Sequence, residues 1–255
     1  MRRAYLPSRQ WRSNEQSVKT GGKTFFLESI KTAPGGSVRT VPMFPGMFRV
    51  KGSIGTFPMI WNVLPEEYYA GDTVQVARSL LGKVMVHLSP EGCTSGIIVE
   101  TEAYLSKDDP ACHAARGKTK RNAAMFGPPG RAYVYFIYGN YYCFNVVTNI
   151  EGVGEAVLVR ALQPLEGLEL MQKRRGKLLK PASLANGPGK LCIAMGITWE
   201  HNAISLQGPP LFITKGFKID ASLIGSSGRI GIKLGQDKPW RFFIKGNSFL
   251  SRREV

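Results

Sequence analysis

Residues 132–150 read Ala132-Tyr-Val-Tyr-Phe-Ile-Tyr-Gly-Asn-Tyr-Tyr-Cys-Phe-Asn-Val-Val-Thr-Asn-Ile150, a stretch without one charged side chain. Its length alone would suit a membrane-spanning helix. Its content does not: Gly139-Asn140 sits at the centre, Asn145, Thr148 and Asn149 follow, and five tyrosines are spread along it. Aromatic and β-branched runs flanking a Gly-Asn pair predict an antiparallel hairpin. On the first strand Tyr133, Tyr135 and Ile137 share one face, and Ala132, Val134 and Phe136 share the other. Tyr138, an odd step from Tyr135, falls on the opposite face, beside the turn.

Outward from this hairpin, short β-rich runs recur at 84–88, 96–102 and 156–162, and two more close the chain at 228–234 and 240–244. Helices are fewer. Residues 71–81 have Asp72 as a cap and Gly82 as a stop, 165–175 end in the basic cluster Lys173, Arg174, Arg175 and Lys177, and Pro188 opens a third over 188–195. Strands decorated by a few helices predict one mixed α+β domain rather than alternating β-α-β units. The folded body is expected over 61–255. Residues 1–60, with ten Lys/Arg and two acids, lack a core period and are expected to be a basic extension of low order: a transit peptide, a disordered arm or a translated upstream region.

The 255 residues carry a formal net charge of +16. Lys and Arg that neutralise phosphates release counterions, so a polyanion is the leading partner class. Four cysteines, at 93, 112, 143 and 192, are too scattered for a zinc pattern or a disulfide framework. Three histidines without an HExxH or a PCxxC signature give no zinc-hydrolase or deaminase site. Asn186-Gly-Pro-Gly-Lys-Leu191 lacks the spacing of a phosphate-binding loop, and GxGxxG is absent. Nucleotide-cofactor chemistry is therefore not supported.

Chemistry concentrates at Val99-Glu-Thr-Glu-Ala-Tyr104, where period two puts Glu100, Glu102 and Tyr104 on one face. The hexapeptide by itself reads as a solvated strand end, because acids are mostly exposed. The nearby loop Arg116-Gly-Lys-Thr-Lys-Arg121 and the tyrosine-rich hairpin favour a lined site, since aromatics beside basic groups hold unstacked bases and phosphates. Each candidate also has a structural reading. His113 could be a satisfied core histidine, Arg160 an ordinary ion-pair partner and Asn145 a bridge between strands.

Taken in order, this hexapeptide, His113, Arg121-Asn122, Met125-Phe126, Pro129-Gly130, Tyr133-Val-Tyr135, Ile137-Tyr138-Gly139, Asn145, Arg160-Ala-Leu162, Pro164-Leu-Glu-Gly167, Gly187-Pro188, Lys190-Leu-Cys192, Arg229-Ile-Gly231 and Arg241-Phe242 resemble the alkyladenine (3-methyladenine) DNA glycosylases. The resemblance covers about 64–251 and none of 1–60. It implies a curved antiparallel sheet surrounded by helices, acting as a monomer on duplex DNA, flipping out a damaged purine and hydrolysing its N-glycosidic bond without metal or cofactor. It further implies Glu102 as the base that activates water and Arg160 as the group that positions it. Tyr104, His113 and Tyr135 would wall the base pocket, with Asn145 at the purine edge and Tyr138 as the wedge in the duplex. Arg121 and Lys190 would lie at the DNA backbone. Asn140 departs from the pattern, being polar where some relatives carry an apolar residue. The implied setting is intracellular and not membrane-bound. Two other classes stay open: a non-catalytic nucleic-acid-binding module, which does not need Glu102, and a glycosylase with lyase activity, which needs an activated amine that no lysine motif supplies.

Overall fold

The computed structural model describes residues 14–20, 23–29, 61–137 and 139–252. It divides into two compact units, 1–61 and 62–255. In the first, strand β1 (Asn14–Thr20) pairs antiparallel with β2 (Lys23–Ser29). A lone ribbon of this kind carries little stability of its own.

The second unit is built on a curved antiparallel sheet. Its spine is β4 (Gly92–Tyr104), flanked along most of its length by β7 (Ala156–Glu166). On its other edge the N-terminal half pairs with β3 (Val84–Ser89) and the C-terminal half with β10 (Arg241–Ile244). Beyond β7 lie β6 (Tyr141–Val147) and then β5 (Ala132–Ile137). Beyond β3 lies β8 (Leu211–Thr214), and beyond β10 lies β9 (Ile224–Ser227). The hairpin forms as its sequence predicts, with Ile137 opposite Tyr141 across the turn.

Helix α1 (Thr73–Ser79) starts where Asp72 accepts from the Gln75 amide at 2.9 Å. Its Val76 and Ala77 pack into the core with Val99, Ala103, Val157, Val159, Val134 and Phe144. These strand residues alternate with those facing away, so one side of the sheet is hydrocarbon and the other is free to carry a site. Helices α2 (Leu168–Arg175) and α3 (Pro188–Met195) pack together beside β6 and β7. Among the described residues no helix is long and apolar enough to cross a membrane.

Three expectations change. The helix placed at 165 starts at Leu168, because β7 continues to Glu166 and the chain turns only at Gly167, with φ +73. A Cβ there would lie 2.3 Å from the Cys93 carbonyl oxygen, so the turn requires glycine. Residues 228–234 form a loop instead of a strand. The ladder position is taken by β9, and the loop backbone is turned inward toward the β4 carboxylates. The short strand β8 has no counterpart in the sequence reading, since four residues are too few to show a period.

Away from the tyrosine hairpin, His87 and His201 meet Nε2 to Nε2 at 3.0 Å. His87 Nδ1 lies 2.6 Å from the Met195 carbonyl oxygen and so must donate, while His201 Nδ1 accepts from the Thr198 amide. Acceptance at His201 Nδ1 leaves its Nε2 to donate, and His87 Nε2 must then accept, so both rings are neutral. Burial pushes both pKa values below the ordinary histidine value. A histidine harder to protonate folded than unfolded contributes stability above about pH 6.5, lost as the pH falls. Melting temperature is therefore expected to drop between pH 7.5 and 5.5, with a shallower slope in His201→Gln; a flat profile would refute the pairing.

Candidate active site

Thr101 Oγ1 donates to the Ala77 carbonyl on α1 at 2.8 Å, which fixes that face of β4 against the core. By alternation Glu100, Glu102 and Tyr104 point to the other side. They are not a solvated strand end: Glu100 and Glu102 are both fully buried. Arg160 reaches them from an irregularity in β7. Ile98↔Leu162 and Thr101↔Val159 keep one register on either side, and between them Glu100 pairs with Ala161, leaving Val99 and Arg160 outside the ladder. Such bulges re-aim side chains.

Each nitrogen of the Arg160 guanidinium has a partner in the cluster. Nε donates to Glu100 Oε1 at 3.1 Å, Nη1 lies 3.3 Å from Glu102 Oε2, and Nη2 donates to Ser251 Oγ at 3.3 Å. Arg241, opposite Glu102 in the sheet, donates from Nε to Glu100 Oε1 at 2.8 Å. Two carboxylates and two guanidiniums thus form a balanced buried cluster, the condition under which buried charge is tolerated. Burial alone would raise the Glu100 pKa. Arg160, Arg241 and the Ser251 amide outweigh it and hold the carboxyl below the usual range.

Glu102 accepts from the Ile230 amide at Oε1 (2.7 Å) and from Tyr104 Oη at Oε2 (2.8 Å). These donors and Arg160 take three of roughly four lone-pair directions of the carboxylate. Behind Tyr104, Arg229 stacks with its guanidinium carbon 4.6 Å from the ring centroid and 5.2 Å from that of Trp240. Asp109 clamps it through two 2.6 Å bonds.

In front of this cluster opens a cavity of about 450 Å³ lined by Tyr104, His113, Tyr133, Tyr135, Asn145, Arg160 and the 230–232 backbone, among others. His113 and Tyr135 touch edge to face with centroids 4.6 Å apart, so no purine fits between them and they form one wall. His113 Nδ1 lies 2.8 Å from Tyr133 Oη. Burial, with help from Arg121, lowers the His113 pKa and keeps the ring neutral. Asn145 bonds the Tyr133 carbonyl across the hairpin at 2.9 Å while lining the cavity, so bridging the strands and facing the site are one arrangement.

Of the other sequence candidates, Arg121 is exposed beside a smaller recess shared with His113 and donates to the Phe136 carbonyl at 3.1 Å. Lys190 is exposed in the first turn of α3 and bonds Asn186 Oδ1 at 3.0 Å. That helix brings Pro188 and Gly189 to the cavity and has no side-chain cap. Tyr138 lies outside the described residues. Sequence reasoning missed the Ile230 amide, the Asp109–Arg229 pair and Ser251. The last two are long-range partners with no local signal, and the first was hidden by reading 228–234 as a strand.

The family profile described as methylpurine-DNA glycosylase matches residues 67–248. A protein of Methanoculleus marisnigri, provisionally named a 3-methyladenine DNA glycosylase, is 52% identical over 193 residues, covering 74% of this chain and 99% of its own. Proteins of Chlorobium phaeobacteroides and Carboxydothermus hydrogenoformans with the same provisional name are each 47% identical, covering 75% of this chain and 96% and 100% of theirs.

Proposed function

The chain belongs to the methylpurine-DNA glycosylase family, and from that premise we propose that it flips alkylated purines out of duplex DNA and hydrolyses their N-glycosidic bonds with Glu102 as the base. 3-Methyladenine and 7-methylguanine are the primary substrates, and hypoxanthine and ethenoadenine are the neutral ones to test. The observation that carries this is that Tyr104 and Arg160, which line the aromatic cavity, both contact the buried Glu102 carboxylate directly behind them. Departure of the purine leaves an oxocarbenium-like sugar, and one ionised carboxylate both stabilises that charge and takes a proton from water. Arg160, which contacts Glu102 and lines the cavity, is the group that orients that water.

Cationic N3- or N7-alkylpurines gain about 0.5–2 kcal/mol from aromatic walls. A neutral His113 preserves that preference, because an imidazolium in the wall would repel them. Tyr138 is proposed as the wedge at the hairpin tip, and Arg121, Lys190 and the uncapped end of α3 as the phosphate contacts. The domain is taken as 61–255, working as an intracellular monomer. The test is single-turnover incubation with duplexes containing each of the four lesions, followed by alkaline cleavage. Alkali-labile sites at 3-methyladenine are expected; none at any lesion would defeat the reading and favour a binding module.

Asn145 is proposed as a filter. Its bridge to Tyr133 fixes the amide at the cavity wall, where it can leave the 2-amino group of guanine clashing or without an acceptor. Asn145→Ser is expected to narrow the discrimination between hypoxanthine and guanine. Unchanged selectivity with lower stability would reduce Asn145 to a strand bridge.

A further inference from the structure

We propose that Ser251 is a positioning residue, holding Arg160 in the orientation in which it serves the reaction without capturing Glu102. The inference rests on the roles proposed for Glu102 and Arg160. Ser251 is distant in sequence from both β4 and β7 and lies after the last strand, yet it contacts both Glu100 and Arg160. Its amide donates to Glu100 Oε2 at 2.6 Å, its hydroxyl donates to Glu100 Oε1 at 2.7 Å, and the same oxygen accepts from Arg160 Nη2 at 3.3 Å. The neighbouring Arg252 carbonyl accepts from Arg241 Nη2 at 3.2 Å. Leu250 is buried in the core and anchors the segment. The segment after β10 therefore supplies acceptors to both arginines and donors to Glu100.

The geometry gives this a chemical consequence. Arg160 has one nitrogen on Glu100, one near Glu102 and one on Ser251. Planar guanidinium forks prefer two parallel bonds to a single carboxylate. Without the Ser251 oxygen, Nη2 has lost its acceptor, and the guanidinium, whose Nη1 is already 3.3 Å from Glu102 Oε2, is proposed to rotate toward bidentate pairing with Glu102. That pairing would fill the remaining lone-pair direction of Glu102 and make the carboxylate a weaker base. The Ser251 hydroxyl is thus a brake on an unproductive ion pair.

The test compares Ser251→Ala with Ser251→Thr, which retains the hydroxyl, in single-turnover excision of 3-methyladenine and hypoxanthine across pH 5–9. Lesion-duplex binding and the NMR signal and exchange rate of the Arg160 Nε–H are followed in parallel. Ser251→Ala should fold, since it removes one hydroxyl at a part-exposed position. Its excision rate is expected to fall about tenfold or more, with unchanged lesion affinity, an acid limb displaced to lower pH and a changed Arg160 Nε–H environment. Ser251→Thr should restore all of these. Normal rates, an unmoved acid limb and an unchanged Arg160 signal in Ser251→Ala would overturn the proposal, as would a rate loss accompanied only by a lower melting temperature. A changed Arg160 signal together with near-normal excision by Glu102→Gln would instead remove the base assignment beneath it.

Discussion

Asp109→Ala is expected to lower stability by about 3–5 kcal/mol, because it strands a buried guanidinium whose direct ion pair is with Asp109. The Arg229 side chain and the Asp109 carboxylate are both fully screened from solvent, and two 2.6 Å bonds join them. Arg229 would keep only carbonyl acceptors, at Ala103 (3.0 Å) and Gly235 (3.3 Å), which do not neutralise it. Asp109 also accepts from the Leu105 and Ala111 amides, so the loop after β4 would lose its tie as well. For a domain of this size the loss corresponds to a melting shift of roughly 6–20 °C. The aromatic wall should loosen with it, since Arg229 backs Tyr104. Adding Arg229→Met to Asp109→Ala should recover part of the stability by removing the stranded charge. A single-variant loss under about 1 kcal/mol would mean that water reaches the pair and the burial argument fails.

Glu102→Gln is expected to leave lesion binding nearly intact and to reduce excision of neutral lesions by more than about 10²–10⁴-fold. That range, about 10²–10⁴-fold, is the usual value of general acid–base assistance alone. The lost negative charge beside the oxocarbenium-like sugar adds to it. Cationic 3-methyladenine is the better leaving group and should retain the larger residual rate. The hydrogen-bond pattern adds a structural cost: an amide can offer oxygen to the Ile230 N–H, or to Tyr104 and Arg160, and its NH₂ then faces a donor on the other side. A stability loss of about 1–3 kcal/mol follows. Glu100→Gln should show the reverse balance. Glu100 accepts from Arg160, Arg241 and both Ser251 donors, so its substitution should cost more stability and less chemistry. Single-turnover rates and melting curves for the two variants check both statements, and near-normal excision by folded Glu102→Gln would defeat the assignment.

Much of this was legible from local pattern. The Gly139-Asn140 turn between alternating aromatic runs identified the hairpin, and the capped helix after Asp72 and the helix opened by Pro188 formed where their end signals lie. Period two on β4 placed Glu100, Glu102 and Tyr104 together, although composition alone made them a wet surface. What turned that surface into a buried site was not local. Arg160 is aimed by a bulge that only pairing with β4 creates, and Arg229 and Ser251 arrive from segments far along the chain. The 228–234 loop was misread for a related reason. Its β-branched residues suit a strand, but the Ile230 amide is used by the Glu102 carboxylate and is not offered to a neighbouring strand.

The most direct test of the central claim, hydrolysis by water and not by an enzyme amine, is reaction of the full chain with a 3-methyladenine duplex in the presence of borohydride. Release of free 3-methyladenine, a strand that breaks only after alkali and no trapped covalent protein–DNA adduct are the expected result. A borohydride-stable adduct, or binding without release of the base, would contradict it.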